Sequence, residues 1–502
     1  MRPTPSMPAV VVTVLAWMTA GCGGDGAADG AAELGETAGD DSAASSSEDG
    51  TGGDGVDSTL DGSTGGDSAD AESTSDDAGS DDESTDDGGP YEPAVYPSGQ
   101  THSPITPFVA DTLDLYAASN AALFEDVFMK AGASSTVSTN TLHCFAGEGV
   151  DLAQHAEHLQ PTLEYFRGGD AAGTTSFDRV TEAAQSGVHA GWAIAGEPSP
   201  IDLEVAALSP RVALVHYGTN DMGWGATYAS ALQGLHTNMT VLLDGLVSQG
   251  VVPIVFGMTR RGDSTNANRW VATYNAALRG LAQRRQIPFI DMHHAIDPLP
   301  GNGLAGDGLH LEAYAEGACV LTPEGLTHGY NVRNLIALQS LQRLTAVLVD
   351  DTPPPDDPSE PALRVQGLGT VDVPFVVGPL PWVATQTTIG APSLVDAYRA
   401  CDDADESGPE HWYRFVLDSP TPLRIMVLDA DGVDVDLHLL PGDGALDRCI
   451  VRDDTRIQGT LAAGTYTLVV DTWASNGQPL SGDYTLLMVA CDDADPNCTT
   501  PL

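Results

Sequence analysis

FEDVFMKAG, residues 124–132, runs straight into Ala133-Ser134-Ser135-Thr136. An apolar run of strand length that ends on glycine and small hydroxyl residues reads as a buried strand handing over to a tight turn. RVALVHYG (211–218) is a second such run and leads into Thr219-Asn220-Asp221, and VVPIVFG (251–257) is a third. Between them, Tyr228 to Ser248 sets Leu232, Leu235, Met239, Leu242, Leu243 and Leu246 along one helical face. A second helix-like stretch covers about Asn268 to Arg285, and IPFIDM (287–292) supplies a fourth strand. Strand, crossover helix and strand at this spacing predict an α/β fold, a parallel sheet covered by helices. Such folds bind ligands beyond the C-terminal ends of their strands, and the unusual residues of this chain fall there.

Three clusters carry chemistry. In Gly132-Ala133-Ser134 a serine on a strand-to-helix turn exposes its hydroxyl while backbone N–H groups nearby face an anion. Gly218-Thr219-Asn220-Asp221 again follows a strand directly. In Asp307-Gly308-Leu309-His310 a carboxylate three residues before an imidazole holds one ring nitrogen, which leaves the other to take a proton from serine. Each cluster alone is weak. Gly-x-Ser is common in loops, the Asn of GTND also caps turns and helices, and Asp-x-x-His also starts helices. The combination, two clusters at strand ends and one in a Gly-rich loop, carries the reading.

With these residues the sequence resembles the SGNH, or GDSL-like, esterase superfamily, matching three of its four blocks in order over roughly 120–345. The resemblance implies an SGNH-type parallel sheet flanked by helices over 93–350. It makes Ser134 the nucleophile, with Asp307 and His310 completing the triad. It assigns the oxyanion hole to the backbone N–H of Ser134, the side-chain amide of Asn220 and a glycine, with Gly191 in VHAGW preferred to Gly187 in QSGVH. The usual Gly-Asp-Ser is Gly-Ala-Ser here, at 132–134. The family's aspartate organises the turn by hydrogen bonds and is not the base, so Ala133 removes a brace and not a reacting group. The implied reaction is carboxylic ester hydrolysis through an acyl-enzyme, with no metal or cofactor required. An O-acetylated polysaccharide is the favoured substrate. A lysophospholipase or short-chain lipase is the enzymatic alternative, and a non-catalytic surface binding protein on a degenerate hydrolase fold the other.

Upstream, residues 1–22 place one Arg before an apolar run from Ala9 to Ala20, short for a membrane span. Thr19-Ala20-Gly21-Cys22 resembles a bacterial lipobox. That resemblance implies a signal peptide over 1–22, acylation of Cys22, anchorage in a lipid bilayer, and, with Gly23 next, placement on the outer membrane or cell surface. Residues 23–92 are Gly, Ser, Thr, Ala, Asp and Glu almost throughout, an acidic tether that buries too little apolar surface to repay ordering. The 502 residues carry 71 acids and 20 bases, a net charge of -51, and 22 of the acids sit in that tether. The remaining 410 residues still hold 49 acids against 19 bases. Such a surface repels phosphates and excludes nucleic acid as a partner.

Downstream, the Pro- and Asp-rich residues 351–362 form a stiff polar linker. Short alternating runs follow over 363–502: HWYRFVL, PLRIMVL, VDLHLL, TYTLVV and DYTLLMV, the pattern of an antiparallel β-sandwich. WYRF (412–415), DVDLHLL (434–440) and GTYTLVVD (464–471) resemble bacterial pre-peptidase C-terminal domains, small jelly-roll-like modules on secreted hydrolases. The Asp-rich loops at 402–406 and 492–495 are calcium candidates or, more simply, solvated turns. Besides Cys22 there are six cysteines and no CxxC pair, compatible with three disulfides in an oxidising compartment. Sequence does not fix their pairing. Cys144 and Cys319 both belong near the active-site end, as a bridge or as two free thiols. Cys491 with Cys498 and Cys401 with Cys449 would use the rest.

Overall fold

The computed structural model describes residues 92–492 and 495–502. The leader, the lipobox at Cys22 and the tether up to residue 91 lie outside the described residues, as do 493 and 494 of the second Asp-rich loop. Among the described residues no helix is long and apolar enough to cross a membrane.

Four strands, β1 (Phe124–Gly132), β2 (Pro210–His216), β3 (Val252–Phe256) and β4 (Phe289–Ile290), form a parallel sheet in the order β1-β2-β3-β4. β2 and β3 are buried along their whole length, as continuous Val/Ile/Leu runs require when helices cover both faces. The helices are α1 (Pro107–Ala118), α2 (Ser134–Val137), α3 (Ala156–Gly168), α4 (Ala190–Ala193), α5 (Pro200–Leu208), α6 (Tyr228–Ser248), α7 (Thr265–Arg285), α8 (Met292–Ile296) and α9 (Gly329–Leu348). α6 spans the residues that its apolar period predicts, and its entry is fixed by a reciprocal Thr227–Ser230 cap. β4 is shorter than IPFIDM suggests, because Asp291 caps α8 through the His294 N–H and ends the strand.

One feature of the sheet places the site. After β1 the chain returns to the outer edge of that strand: Gly132 N–H donates to Ala183 O at 3.1 Å and Gln185 N–H to Gly132 O at 3.2 Å, a parallel bridge at Ala184. The next strand, β2, pairs on the opposite edge, Gly132 standing level with His216. The two connections therefore leave β1 in opposite directions, which makes its C-terminal end the place where folds of this kind bind ligands. Ser134 stands there.

Beyond α9 the chain forms β5 (Phe375–Val376), β6 (Trp382–Thr387), β7 (His411–Leu417), β8 (Thr421–Asp429), β9 (Val435–Pro441), β10 (Val451–Asp453), β11 (Arg456–Leu461), β12 (Gly464–Thr472), β13 (Ala474–Ser475), β14 (Gln478–Pro479) and β15 (Asp483–Ala490). Two large sheets result, β10-β9-β12-β7-β5 and β11-β8-β15-β6, antiparallel apart from the β5–β7 pair, while β13 and β14 pair with each other alone. Their facing side chains, Tyr413, Leu437, Leu439 and Val470 from one and Ile425, Val427, Leu486 and Met488 from the other, make a common core. The outer face of the second sheet is covered as well. Val383, Met426, Leu428, Leu487 and Val489 join the core of the α/β part, where β6 and β15 lie against α7. A Cβ on Gly280 of α7 would come 2.7 Å from Val383 Cγ2. The linker is pinned too, Asp356 accepting from the Ile105 N–H at 2.7 Å and from Arg343 at 3.1 Å.

Candidate active site

Gly132 ends β1 because nothing larger fits: an added Cβ would strike Thr136 Oγ1 and lie 2.7 Å from His216 O. Ala133 is extended, and Ser134 then opens the short helix α2, closed by Thr136 and Val137 N–H bonds to Ala133 O at 2.9 and 3.0 Å. His310 Nε2 stands 2.9 Å from Ser134 Oγ, and His310 Nδ1 stands 2.7 Å from Asp307 Oδ2. Asp307 Oδ1 also accepts the backbone N–H groups of Leu309 and His310, each at 3.0 Å. What burial Asp307 has raises its pKa, but these N–H donors and the imidazole outweigh it and hold the carboxyl below its usual range. The three residues are 176 positions apart at their extremes and form one continuous chain of polar contacts.

The loop that carries His310 is braced from behind. Gly308 has φ +71°, and a Cβ there would sit 2.9 Å from Asp263 N, so only glycine fits this left-handed and crowded position. Asp263 N–H donates to Gly308 O at 3.1 Å, while Arg261 pairs with the Asp263 carboxylate and donates to Thr219 O at 3.1 Å. The histidine loop and the Thr219-Asn220 loop are thereby one rigid unit. The Cys144–Cys319 disulfide ties the segment after Ser134 to the segment after His310, and Cys401–Cys449 and Cys491–Cys498 are the other two bridges. Asn334 of α9 repeats the tie in hydrogen bonds, to Leu142 N and Asn140 O on one side and Ala318 O on the other.

Asn220 Nδ2 donates to Val188 O at 3.0 Å, which turns the amide toward the 187–191 loop. Asp221, which sequence reasoning passed over, joins the same two loops: its carboxylate accepts from Gly218 N–H and Ala190 N–H, both at 2.9 Å. Burial pushes the Asp221 carboxyl up, and the two N–H donors oppose that rise. Its position beside Asn220 at a strand end was the available signal. The two candidate glycines separate clearly. Gly187 is exposed, at φ +79°, two residues past the Gln185–Gly132 hydrogen bond and one before Val188. Gly191 lies inside α4, where a Cβ would meet the His189 ring at 2.8 Å and Asn238 of α6 at 2.9 Å. Its lack of a side chain serves the packing of α4 on α6.

Of the residues near these loops in sequence, His216 and Met222 are buried, and Trp192 is half-buried. Trp224 is 63% exposed, its ring against that of His189 with centroids 4.2 Å apart. Sequence position alone could not distinguish these four. Among the described residues, the one group of potential metal ligands is Cys491, Asp495 and Cys498, and its two thiols are joined in a disulfide. In the 402–406 loop Glu406 turns inward and is buried beside His438 and Arg452.

An α/β fold with a serine, a histidine and an aspartate in contact just past a strand end is the architecture of a hydrolase. Residues 154–315 match the model of the GDSL-like lipase/acylhydrolase family. The matched stretch holds both glycines, Asn220, Asp307 and His310 and begins downstream of Ser134. No curated protein matches the chain. Among solved structures, a GDSL-like lipase from Bacteroides thetaiotaomicron is 15% identical, covering 47% of this chain and 98% of its own, at a TM-score of 0.28. A catalytic mutant of an acetylxylan esterase from Geobacillus stearothermophilus is 14% identical over 43% of this chain and 93% of its own, at 0.29. The pre-peptidase C-terminal domain of a collagenase from Bacillus anthracis is 17% identical over 22% of this chain and 90% of its own, at 0.16.

Proposed function

We propose that the chain is a serine esterase acting through Ser134, His310 and Asp307 on acetyl esters of carbohydrate. The observation that carries the reading is the unbroken line from Asp307 Oδ2 through the imidazole to Ser134 Oγ, at 2.7 and 2.9 Å. His310 Nε2 takes the Ser134 proton as Oγ attacks the ester carbonyl. Asp307 holds Nδ1 and favours the imidazolium. Charge on the carbonyl oxygen is met by the N–H of Ser134, the amide of Asn220 and a glycine N–H. His310 then protonates the departing alcohol, and water, deprotonated by the same nitrogen, cleaves the acyl-enzyme to the free acid.

For the glycine we favour Gly187 over the Gly191 preferred on sequence. Gly187 follows by two residues the stretch 183–185 that pairs with Gly132, and Asn220 reaches Val188 directly beside it. Gly191 lies four residues further on, in the α4–α6 contact. The sugar preference draws on Trp224, whose exposed indole follows Asn220 by four residues and rests on His189. A flat, rigid aromatic face suits the C–H face of a pyranose ring. We further propose that Cys22 is acylated and holds the enzyme at the bacterial surface, with the acidic tether as reach and the C-terminal sheets as a pre-peptidase-like module.

The test is turnover of p-nitrophenyl acetate by the full chain and by Ser134→Ala. Loss of activity in the variant supports the assignment, and equal activity removes Ser134 from it. Paired acetyl and long-chain esters then separate a deacetylase from a lipase.

A further inference from the structure

α9 is buried on nearly every side, yet carries a guanidinium in its middle. Arg333 is 3% exposed, and among the described residues no carboxylate pairs with it. Instead it reaches the turn that carries Ser134: Nη1 donates to Ser135 O at 2.6 Å and to Thr141 Oγ1 at 3.0 Å, and Nη2 to Thr136 Oγ1 at 3.4 Å. Thr141 Oγ1 donates to the same Ser135 carbonyl at 2.5 Å, so two donors, themselves hydrogen-bonded to each other, fix one peptide of the turn. Lys130 and His216, both buried, line with Arg333 a cavity of about 10 Å³ behind the turn, room for no more than about one water. No bulk solvent therefore screens the cation.

Taking a guanidinium out of water with no anion to meet it is costly, and burial drops its pKa to about 10, still charged at neutral pH. Fold stability alone gives no reason to retain such a group, since an apolar side chain of similar volume would serve the core as well. A second departure points to the reason. The position before the nucleophile is Ala133, whose methyl offers the turn no hydrogen bond and leaves the N-terminal end of α2 without a side-chain cap.

We propose that Arg333 is the positioning residue of the nucleophile: from α9 it holds the Ser134–Val137 turn by the Ser135 carbonyl and the Thr136 hydroxyl, replacing a brace that Ala133 cannot supply. The planar fork matters as much as the charge, because it engages three acceptors in fixed directions. Arg333 touches neither substrate nor the reacting atoms. Its effect is on where Ser134 Oγ stands relative to His310 Nε2, and so on kcat, while substrate binding is left alone.

The inference rests on Ser134 being the nucleophile, and its test is arranged to separate the two. Full-chain wild type, Ser134→Ala, Arg333→Met and Arg333→Lys are compared on p-nitrophenyl acetate, with thermal unfolding and the rate of labelling by a fluorophosphonate measured on each. Displacing a reacting atom by about an ångström costs about 10²-fold in rate. Arg333→Met is therefore expected to lose kcat and labelling rate by up to about that factor with KM within twofold of wild type. Its unfolding midpoint should be unchanged or raised, because a buried uncompensated charge has gone. Arg333→Lys should recover part of the loss, and millimolar guanidinium should partly rescue Arg333→Met. If Ser134→Ala abolishes turnover but Arg333→Met keeps kcat within twofold, the positioning role falls and the nucleophile stands. If Arg333→Met loses activity and stability together, with Arg333→Lys no better, Arg333 is a structural prop and the proposal is overturned. If Ser134→Ala retains wild-type turnover, the nucleophile assignment falls and this inference with it.

Discussion

At the scale of single residues the site is built from positions where one side chain fits and its neighbours do not. Gly132 is the sharpest case, because a methyl there meets the Thr136 hydroxyl and the His216 carbonyl at once. Gly132→Ala should push the turn off its place and reduce kcat by about 10²-fold, with most of the fold retained. A circular dichroism spectrum beside p-nitrophenyl acetate kinetics checks it, and wild-type kcat would refute the close-packing argument. Trp224 makes the opposite kind of prediction, since no packing depends on its exposed face. Trp224→Ala should raise KM for an acetylated oligosaccharide severalfold and leave p-nitrophenyl acetate unaffected. Equal loss on both substrates would instead make the indole a prop for His189. Serine and Asn220 could be named from the sequence because each sits in a short motif at a strand end, and aspartate and histidine because they share a four-residue motif in a Gly-rich loop. Arg333 could not, because its partners are backbone and hydroxyl groups nearly two hundred positions away.

At the scale of elements, the sequence reading works where one periodicity dominates and fails where a segment has none. β1 and α6 occupy the residues their apolar patterns predict. The extended stretch at 183–185 does not announce itself, since Ala183-Ala184-Gln185 lacks both an apolar run and a β-branched residue, yet it pairs with Gly132 on the edge of β1 opposite to β2. α9 is legible as a helix with an apolar face, but Asn331, Arg333 and Asn334 are buried polar residues within it, each turned to the loops bearing the proposed triad. Polar residues at core positions of a helix were the signal. The disulfide between Cys144 and Cys319 closes a loop of 175 residues across those same segments. Replacing both cysteines by serine should cost about 2–5 kcal/mol of stability. Because the bridge joins the serine side to the histidine side, kcat should fall too, at a temperature where the variant is still folded. Denaturant titration and kinetics on one preparation test both parts, and an unchanged kcat would show that α9 alone holds the two loops together.

At the scale of the whole molecule, the C-terminal sheets are not a loosely tethered appendage. Arg424 of β8 is buried against Trp270 of α7, its Cζ 3.7 Å from the ring centroid, and donates to Thr273 at 3.0 Å and to the buried Asp495 at 2.7 Å. Arg424→Ala leaves that carboxylate without its guanidinium, and should cost about 3–5 kcal/mol in a unit that includes α7. Two separate thermal transitions, with the α/β part untouched, would contradict a shared core. Inside these sheets burial also pushes Asp471 and Asp436 up to about 9. Between the ordinary carboxylate range and pH 9 the folded chain keeps protons that the unfolded chain has released. Their contribution to stability is therefore fully present below the ordinary carboxylate range and falls as pH rises from there toward 9. Asp471→Asn should flatten that decline, read as unfolding midpoints from pH 5 to 9. Alternation along the chain identified the region as strands but gave no sign of this docking, because the apolar residues that face α7 look like those that face the partner sheet.

One oxygen atom, Ser134 Oγ, is central to the proposed chemistry, and the most direct measurement of its role is covalent. The full chain is treated with a fluorophosphonate while esterase activity is followed, and the labelled peptide is located by mass spectrometry. One adduct per chain on Ser134, formed in step with the loss of p-nitrophenyl acetate turnover and absent from Ser134→Ala and His310→Ala, is the predicted result. Complete inactivation with the adduct on any other residue, or undiminished turnover in Ser134→Ala, would contradict it.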